Sequence, residues 1–326
     1  MPAEPSFPPI RRLGSDDLQR CVALSVDRGW SPERSKWSLL LAASEVFGVD
    51  APDGRGLAGA VVLTRWASDY AAVGMMLVAA RYGRRGLGRG LMGHVLRAAG
   101  DGATVTLFAT DMGRPLYEKL GFVAVRRNVS FVGRFRAPSS TGGAAGAGGT
   151  RGRGGARGPG GARGGSGAAG AGGAPGAGAG GVRAAVAADL PAILDLDRAA
   201  FGADRGHILT RLHGIADRIV VAEADGAPGP GIAGYAAAWR NTPVSTVIGP
   251  LVAPDGETAR RLVTALAADA ATPVRLDLDP DRTELPGWAH AHGLEPASRT
   301  AVMAHGPLAE RGTPGLLYTP ISVALA

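Results

Sequence analysis

The chain is 326 residues long, 45% hydrophobic and 5% aromatic, with a formal charge of +7 and a single cysteine, Cys21. This length accommodates two ordinary domains with apolar cores, and one cysteine excludes both a disulfide framework and a cysteine-based metal site. Arg151, Arg153, Arg157 and Arg163 share one glycine-rich stretch without acidic residues, and without them the charge falls to +3, which argues against a general polyanion-binding surface.

In chain order, hydrophobic periodicity predicts strand Ile10–Leu13, helices Ser15–Asp27 and Arg34–Ala43, and strands Val46–Asp50, Gly59–Arg65 and Tyr70–Val78. Helix Leu87–Ala99, strand Thr104–Ala109, helix Arg114–Leu120 and strand Phe122–Phe131 follow. Pro115 suits a first helical turn and Gly121 a helix stop. Interleaved helices and strands give an α/β fold with a mixed sheet.

The segment from Leu77 to Leu91 runs a strand through a glycine-rich turn into an amphipathic helix. Gly83, Gly86, Gly88 and Gly90 are expected to adopt positive φ and admit a ligand close to the backbone, so that amides and the helix N-terminus converge on a phosphate. Arg84, Arg85 and Arg89 add positive charge around them. The spacing fits neither the G-x-x-x-x-G-K-[ST] nor the G-x-G-x-x-G template.

A second segment, Thr110-Asp111-Met112-Gly113-Arg114-Pro115-Leu116-Tyr117-Glu118-Lys119-Leu120-Gly121-Phe122, follows in the order seen in one family. The two together resemble the GNAT family of acetyl-CoA-dependent N-acetyltransferases. That resemblance implies a direct acetyl transfer from acetyl-CoA, as co-substrate, to a small-molecule or protein amine. It implies pyrophosphate on the loop from Tyr82 to Gly90, Leu87 included, pantetheine along Met76, Leu77 and Val78, and Tyr117 as general acid to the departing thiolate. Gly83 stands where the family carries Gln or Arg, so that side-chain contact is missing, and Arg84 or Arg85 is the candidate replacement.

Residues 137–181, nearly all Gly, Ala, Ser, Pro and Arg, are expected to form a flexible linker between a first domain at 1–136 and a second at 182–326. The two flanks read as copies. Arg11, Asp17 and Leu18 match Arg183, Asp189 and Leu190; Gly56-Leu-Ala-Gly59 matches Gly231-Ile-Ala-Gly234; Leu77-Val78-Ala79 matches Leu251-Val252-Ala253. The second copy replaces the glycine loop with Pro254-Asp255-Gly256-Glu257-Thr258 and the tyrosine with Ala289, so it reads as a degenerate GNAT repeat. The first segment is expected to bind CoA by itself.

Glu45 and Asp69 are the candidate bases that would deprotonate the amine, with a surface charge and a turn residue as their alternatives. Tyr117 could instead be a packing residue, and His94 reads as a helix-face residue. Three function classes stand: an N-acetyltransferase, an acyl-CoA sensor that keeps the fold without the chemistry, and a nucleic-acid-associated protein using the Arg-Gly linker. The last is disfavoured because the linker has no stacking aromatics. With no basic start leading into an apolar run and no stretch of about 18 apolar residues, a cytoplasmic protein without a membrane partner is expected; a homo-oligomer stays open.

Overall fold

The computed structural model describes residues 7–137, 181–224, 231–308 and 310–325. The expected linker at 137–181 lies outside these apart from its two end residues, and so do its Arg-Gly repeats.

The first half runs β1 (Arg11–Arg12), α1 (Leu18–Asp27), α2 (Arg34–Ala43), β2 (Glu45–Asp50), β3 (Leu57–Ala67), β4 (Tyr70–Val78), α3 (Leu87–Ala99), β5 (Thr104–Ala109), α4 (Arg114–Glu118) and β6 (Val123–Gly133). The expected elements all form, most within two residues of their expected ends. The helix expected at Ser15–Asp27 is divided, with a 3₁₀ turn over Ser15–Asp17 before α1. The second half repeats the order: β7 (Val182–Ala184), α5 (Leu190–Phe201), α6 (Gly206–Ile215), β8 (Arg218–Glu223), β9 (Ile232–Thr242), β10 (Ser245–Val252), α7 (Gly256–Ala267), β11 (Val274–Leu278), α8 (Leu285–Ala291), β12 (Glu295–His305) and β13 (Leu317–Thr319).

The repeat is visible in geometry as well as in order. Arg11 makes a two-pronged ion pair with Asp17 at 2.7 and 2.9 Å, and Arg183 does the same with Asp189 at 2.7 and 2.9 Å. Each aspartate also accepts the amide three residues before it, from Gly14 at 3.1 Å and from Val186 at 2.8 Å. Both carboxyls are held down to about 2, chiefly by the arginine hydrogen bond.

Among the described residues all thirteen strands belong to one sheet, in the order β1-β2-β3-β4-β5-β12-β6-β11-β10-β9-β8-β7, with β13 added to β10. The last long strand of each half crosses over. β12 pairs with β5 through Ala301↔Ala109 to His305↔Val105, and β6 pairs with β11 through Val274↔Gly133 to Leu278↔Val129. The two exchanged strands lie antiparallel to each other at the centre, so the halves are fused by backbone hydrogen bonds.

On one face α3 buries Leu87, Leu91, Met92 and Val95, the stripe expected for a helix laid on a sheet. α2 packs against α6 and β9, so the apolar cluster around Trp37 and Leu40 continues into Ile208, Leu212 and Trp239 of the second half. No helix among the described residues is long and apolar enough to cross a membrane.

Candidate active site

β4 determines where a ligand can enter. Val62 faces Gly74 and Ala60 faces Leu77, so three steps on β4 oppose two on β3, a bulge centred on Met75 at φ +48°. Parallel pairing with β5 runs only from Tyr70↔Thr104 to Val73↔Leu107. Beyond it the strands separate. A cleft of about 730 Å³ opens there, lined by Met76, Leu77 and Val78 on the strand side.

The glycine loop closes the cleft's other side. Only Gly86 among the four loop glycines takes positive φ, at +78°, as the N-cap of α3. Gly83 is extended at φ −60°, and Gly88 and Gly90 sit inside the helix. The second left-handed residue is Arg84 at φ +62°. A non-glycine residue there costs about 1–2 kcal/mol, which the surrounding structure must offset.

The first amide of α3 to close onto backbone is that of Gly90, on Gly86 O at 3.0 Å. The amides before it in the helix's first turn have no intrahelical acceptor, and a glycine N-cap has no side chain to satisfy them. A positively polarised helix end therefore faces the cleft. Gly88 is needed for another reason: a Cβ there would meet Met76 Cε at 3.1 Å and Leu116 Cδ2 at 3.4 Å.

Tyr117 lies on α4, a five-residue helix with Pro115 in its first turn. Its ring packs edge-on to Phe122 at 5.9 Å between centroids and lies over Gly113, where a Cβ would meet Cε2 at 3.1 Å. Burial pushes the phenol up to about 12, so it remains a protonated O–H donor across the neutral range. Tyr117 lines the same cleft as the strand and the loop.

Ten of the residues singled out by sequence thus come together: Met76, Leu77, Val78, Gly83, Arg84, Gly86, Leu87, Gly88, Arg89 and Tyr117. Arg85 and Gly90 do not line the cleft. The Arg85 guanidinium sits 5.9 Å from the Tyr82 ring centroid, and Gly90 lies within α3; of Arg84 and Arg85, Arg84 is the one that lines the cleft.

Both candidate bases are drawn elsewhere. Glu45 is paired with Arg12 at 3.1 Å and Arg65 at 2.6 Å, and its row in the sheet is that of Leu63 and Val73, before β4 and β5 part. Asp69 is in the turn at the opposite end of β4, bound by Arg311 at 2.8 Å. His94 stacks edge-on to Phe47 at 4.5 Å, as a helix-face residue does. Among the described residues, no carboxylate or imidazole lines the cleft.

Arg28, Trp30 and Met112 also line the cleft and were missed. Trp30 is 40% and Met112 80% exposed, and the Arg28 guanidinium lies 3.8 Å from Met112 Sδ. Large apolar side chains in turns that chemistry normally fills with polar residues were the available signal.

The second half lacks this constellation. Asp255 caps α7 by accepting the Thr258 amide at 2.7 Å, and Glu257 adds charge in the first turn, so an anion is opposed where α3 favours one. Ala289, fully buried, stands in the position of Tyr117.

Comparison with known proteins agrees with this architecture. Residues 37–134 and 193–318 each match a family model described as an acetyltransferase (GNAT) domain. The uncharacterized N-acetyltransferase YitH of Bacillus subtilis is 26% identical over 215 residues, which cover 66% of this chain and 62% of that relative's length. A candidate acetyltransferase from Pyrococcus horikoshii superposes with a TM-score of 0.72 at 17% identity, covering 99% of this chain and 98% of its own. A tandem GNAT protein from the clavulanic acid biosynthesis pathway does so at 0.59 and 15%, covering 92% and 99%. The chain belongs to the GNAT superfamily of acetyltransferases, with two GNAT domains in tandem.

Proposed function

We propose that the first half transfers an acetyl group from acetyl-CoA to an amine, with Tyr117 protonating the departing sulfur. The observation that carries this reading is the convergence of an open strand edge, a run of uncapped helix amides and a buried tyrosine on one cleft. The edge of Met76–Val78 offers backbone groups to the amides of a pantetheine arm, and the amides of the first turn of α3, with Arg84 and Arg89, offer donors to pyrophosphate.

In the transfer the amine nitrogen attacks the thioester carbonyl, the C–N bond forms and the C–S bond breaks. The Tyr117 hydroxyl hydrogen-bonds or protonates the sulfur as its charge develops. With no carboxylate or imidazole among the described residues lining the cleft, the amine attacks as the neutral species, and the proton its nitrogen then loses passes through water to replace the one that Tyr117 gives to the sulfur. No nucleophilic side chain is required, because the acyl group passes directly to the amine.

The same absence of a base favours one second reading, in which the cleft binds an acyl-CoA without turning it over. Thiol release from acetyl-CoA, followed across a panel of alkyl, aromatic and peptide amines, separates the two. Tight CoA binding with no thiol release from any amine would leave the binding reading in place of the catalytic one.

A further inference from the structure

The bulge of β4 has a counterpart. Ile248 faces Ala238 and Leu251 faces Ala236, so β10 also sets three steps against two on its neighbour. Its parallel pairing with β11 likewise stops early, at Val247↔Arg275. The second half therefore opens the same strand edge as the first. Here that edge is filled. β13 pairs antiparallel with β10 through Leu251↔Thr319 and Val252↔Leu317, the Ala253 amide donates to Leu316 O at 3.0 Å, and Thr319 Oγ1 donates to Ile248 O at 3.2 Å.

The segment then crosses to the first half. Ile321, Ser322, Ala324 and Leu325 are all buried, at most 5% exposed, and the three apolar ones join the core around β4. A turn holds them, with the Leu325 amide on Ser322 O at 2.9 Å and the Ala324 amide on Ser322 Oγ at 3.1 Å. The segment touches both bulges: Pro320 O lies where a Cβ on Gly249 would stand, and Ala324 O where a Cβ on Gly74 would stand. Gly74 precedes Met75, the left-handed residue on which the first cleft's opening turns.

We propose that residues 316–325 act as an internal ligand, filling the second half's cleft as an added strand and, through Ala324 against Gly74, setting the β4 bulge that holds the first cleft open to acyl-CoA. This rests on the reading of the first cleft given above. Strand addition uses backbone groups alone, so the segment satisfies the same edge that an extended ligand would need, and the two exclude each other. A left-handed, non-glycine residue such as Met75 persists only where its surroundings over-determine it, and Ala324 is one of those surroundings. On this account the second half positions the first site and takes no acyl-CoA itself.

Calorimetric titration with CoA and acetyl-transfer kinetics test this on the full chain. We expect one CoA per chain. Gly74→Ala should raise the CoA Kd at least tenfold and the KM for acetyl-CoA with it, with kcat less affected. A chain stopped after Thr319 should show a similar rise, and Gly74→Ala in that background should add little, because the carbonyl it displaces is gone. Two CoA per wild-type chain, or both single variants binding within twofold of wild type, would overturn the proposal. Where a variant misfolds, hydrogen exchange of the wild type decides. Residues 316–325 should stay protected when CoA saturates, whereas faster exchange there on CoA addition shows the segment displaced and ends the proposal. A wild type that binds no CoA removes the site reading and this inference together; normal binding with unaffected variants removes this inference alone.

Discussion

Tyr117 carries the sharpest prediction at the scale of a residue. Replacing it with phenylalanine keeps the ring against Phe122 and Gly113 and removes only the donor. Acetyl-CoA affinity should stay nearly constant while kcat falls by about 10²–10⁴-fold, the usual contribution of a positioned acid; full turnover in Tyr117→Phe would make it a packing residue. Since burial pushes this phenol up to about 12, it stays protonated across the neutral range, and its ionisation should leave the pH profile of activity there unchanged. With no carboxylate or imidazole among the described residues lining the cleft, kcat/KM for an alkylamine should rise tenfold per pH unit up to the amine's own pKa. An ascending limb that levels off near pH 6–7 for every amine would reveal a protein base. At Gly88 the expected effect is steric: Gly88→Asp brings both a Cβ against Met76 and a carboxylate among the first-turn amides, and should abolish CoA binding in titration. Arg84→Ala should weaken it less, by removing charge and leaving the backbone donors in place.

Elements begin in this protein with a repeated device. Arg11–Asp17 and Arg183–Asp189 tie the first strand of each half to the turn entering its first helix. Both aspartates are held at about 2, below their unfolded range, so each contributes stability above roughly pH 4 that disappears as pH falls toward 2. Asp17→Asn or Asp189→Asn should cost about 1–2 kcal/mol at pH 7, after allowing for the partly exposed arginines. In denaturant unfolding the difference from wild type should be roughly halved or less near pH 2 and close to zero about a unit lower. A gap that persists unchanged from pH 7 to below pH 2 would assign the loss to packing rather than to the charge. The two ends of α3 and α7 show the contrasting use of one element: a glycine N-cap leaves amides for a ligand, and an aspartate N-cap consumes one internally.

For the whole molecule, strand exchange is decisive. The segment ending near Ala137 was expected to bind CoA by itself, but its β5 pairs with β12 from the other half, and β12 separates β5 from β6. Isolated, that segment keeps β4 beside β5 but loses β12 from its other edge, and leaves β6 with both edges unpaired. Residues 1–137 alone should therefore be poorly folded by circular dichroism and bind CoA far more weakly than the full chain. In the full chain, hydrogen exchange in β5 and β11 should report one common opening, since both depend on the exchanged pair. Independent opening of the two, or a well-folded isolated segment, would show that each half can close its own sheet.

Much of this protein follows from contacts a few residues apart, and those are what sequence determines. Strand and helix limits, the cradle of α3, the start of α4 at Arg114 with Pro115 in its first turn, and the paired Arg–Asp clasps all depend on spacing within one or two turns of chain, so periodicity and composition locate them. Left to the tertiary structure were choices between equivalent partners. A strand's side-chain pattern does not name the backbone that will pair with it, so nothing in Glu295–His305 announces that it joins β5 rather than β11. Positive φ was expected at Gly83, Gly86, Gly88 and Gly90, yet in the fold Gly86 and Arg84 take it, a choice that local glycine preference does not make. Glu45 and Asp69 were withdrawn from the site by arginines 33 and 242 residues away in sequence, and the second cleft was filled by a strand whose residues pair with β10 residues 65 and 68 positions earlier, distances over which only the folded chain decides what meets what.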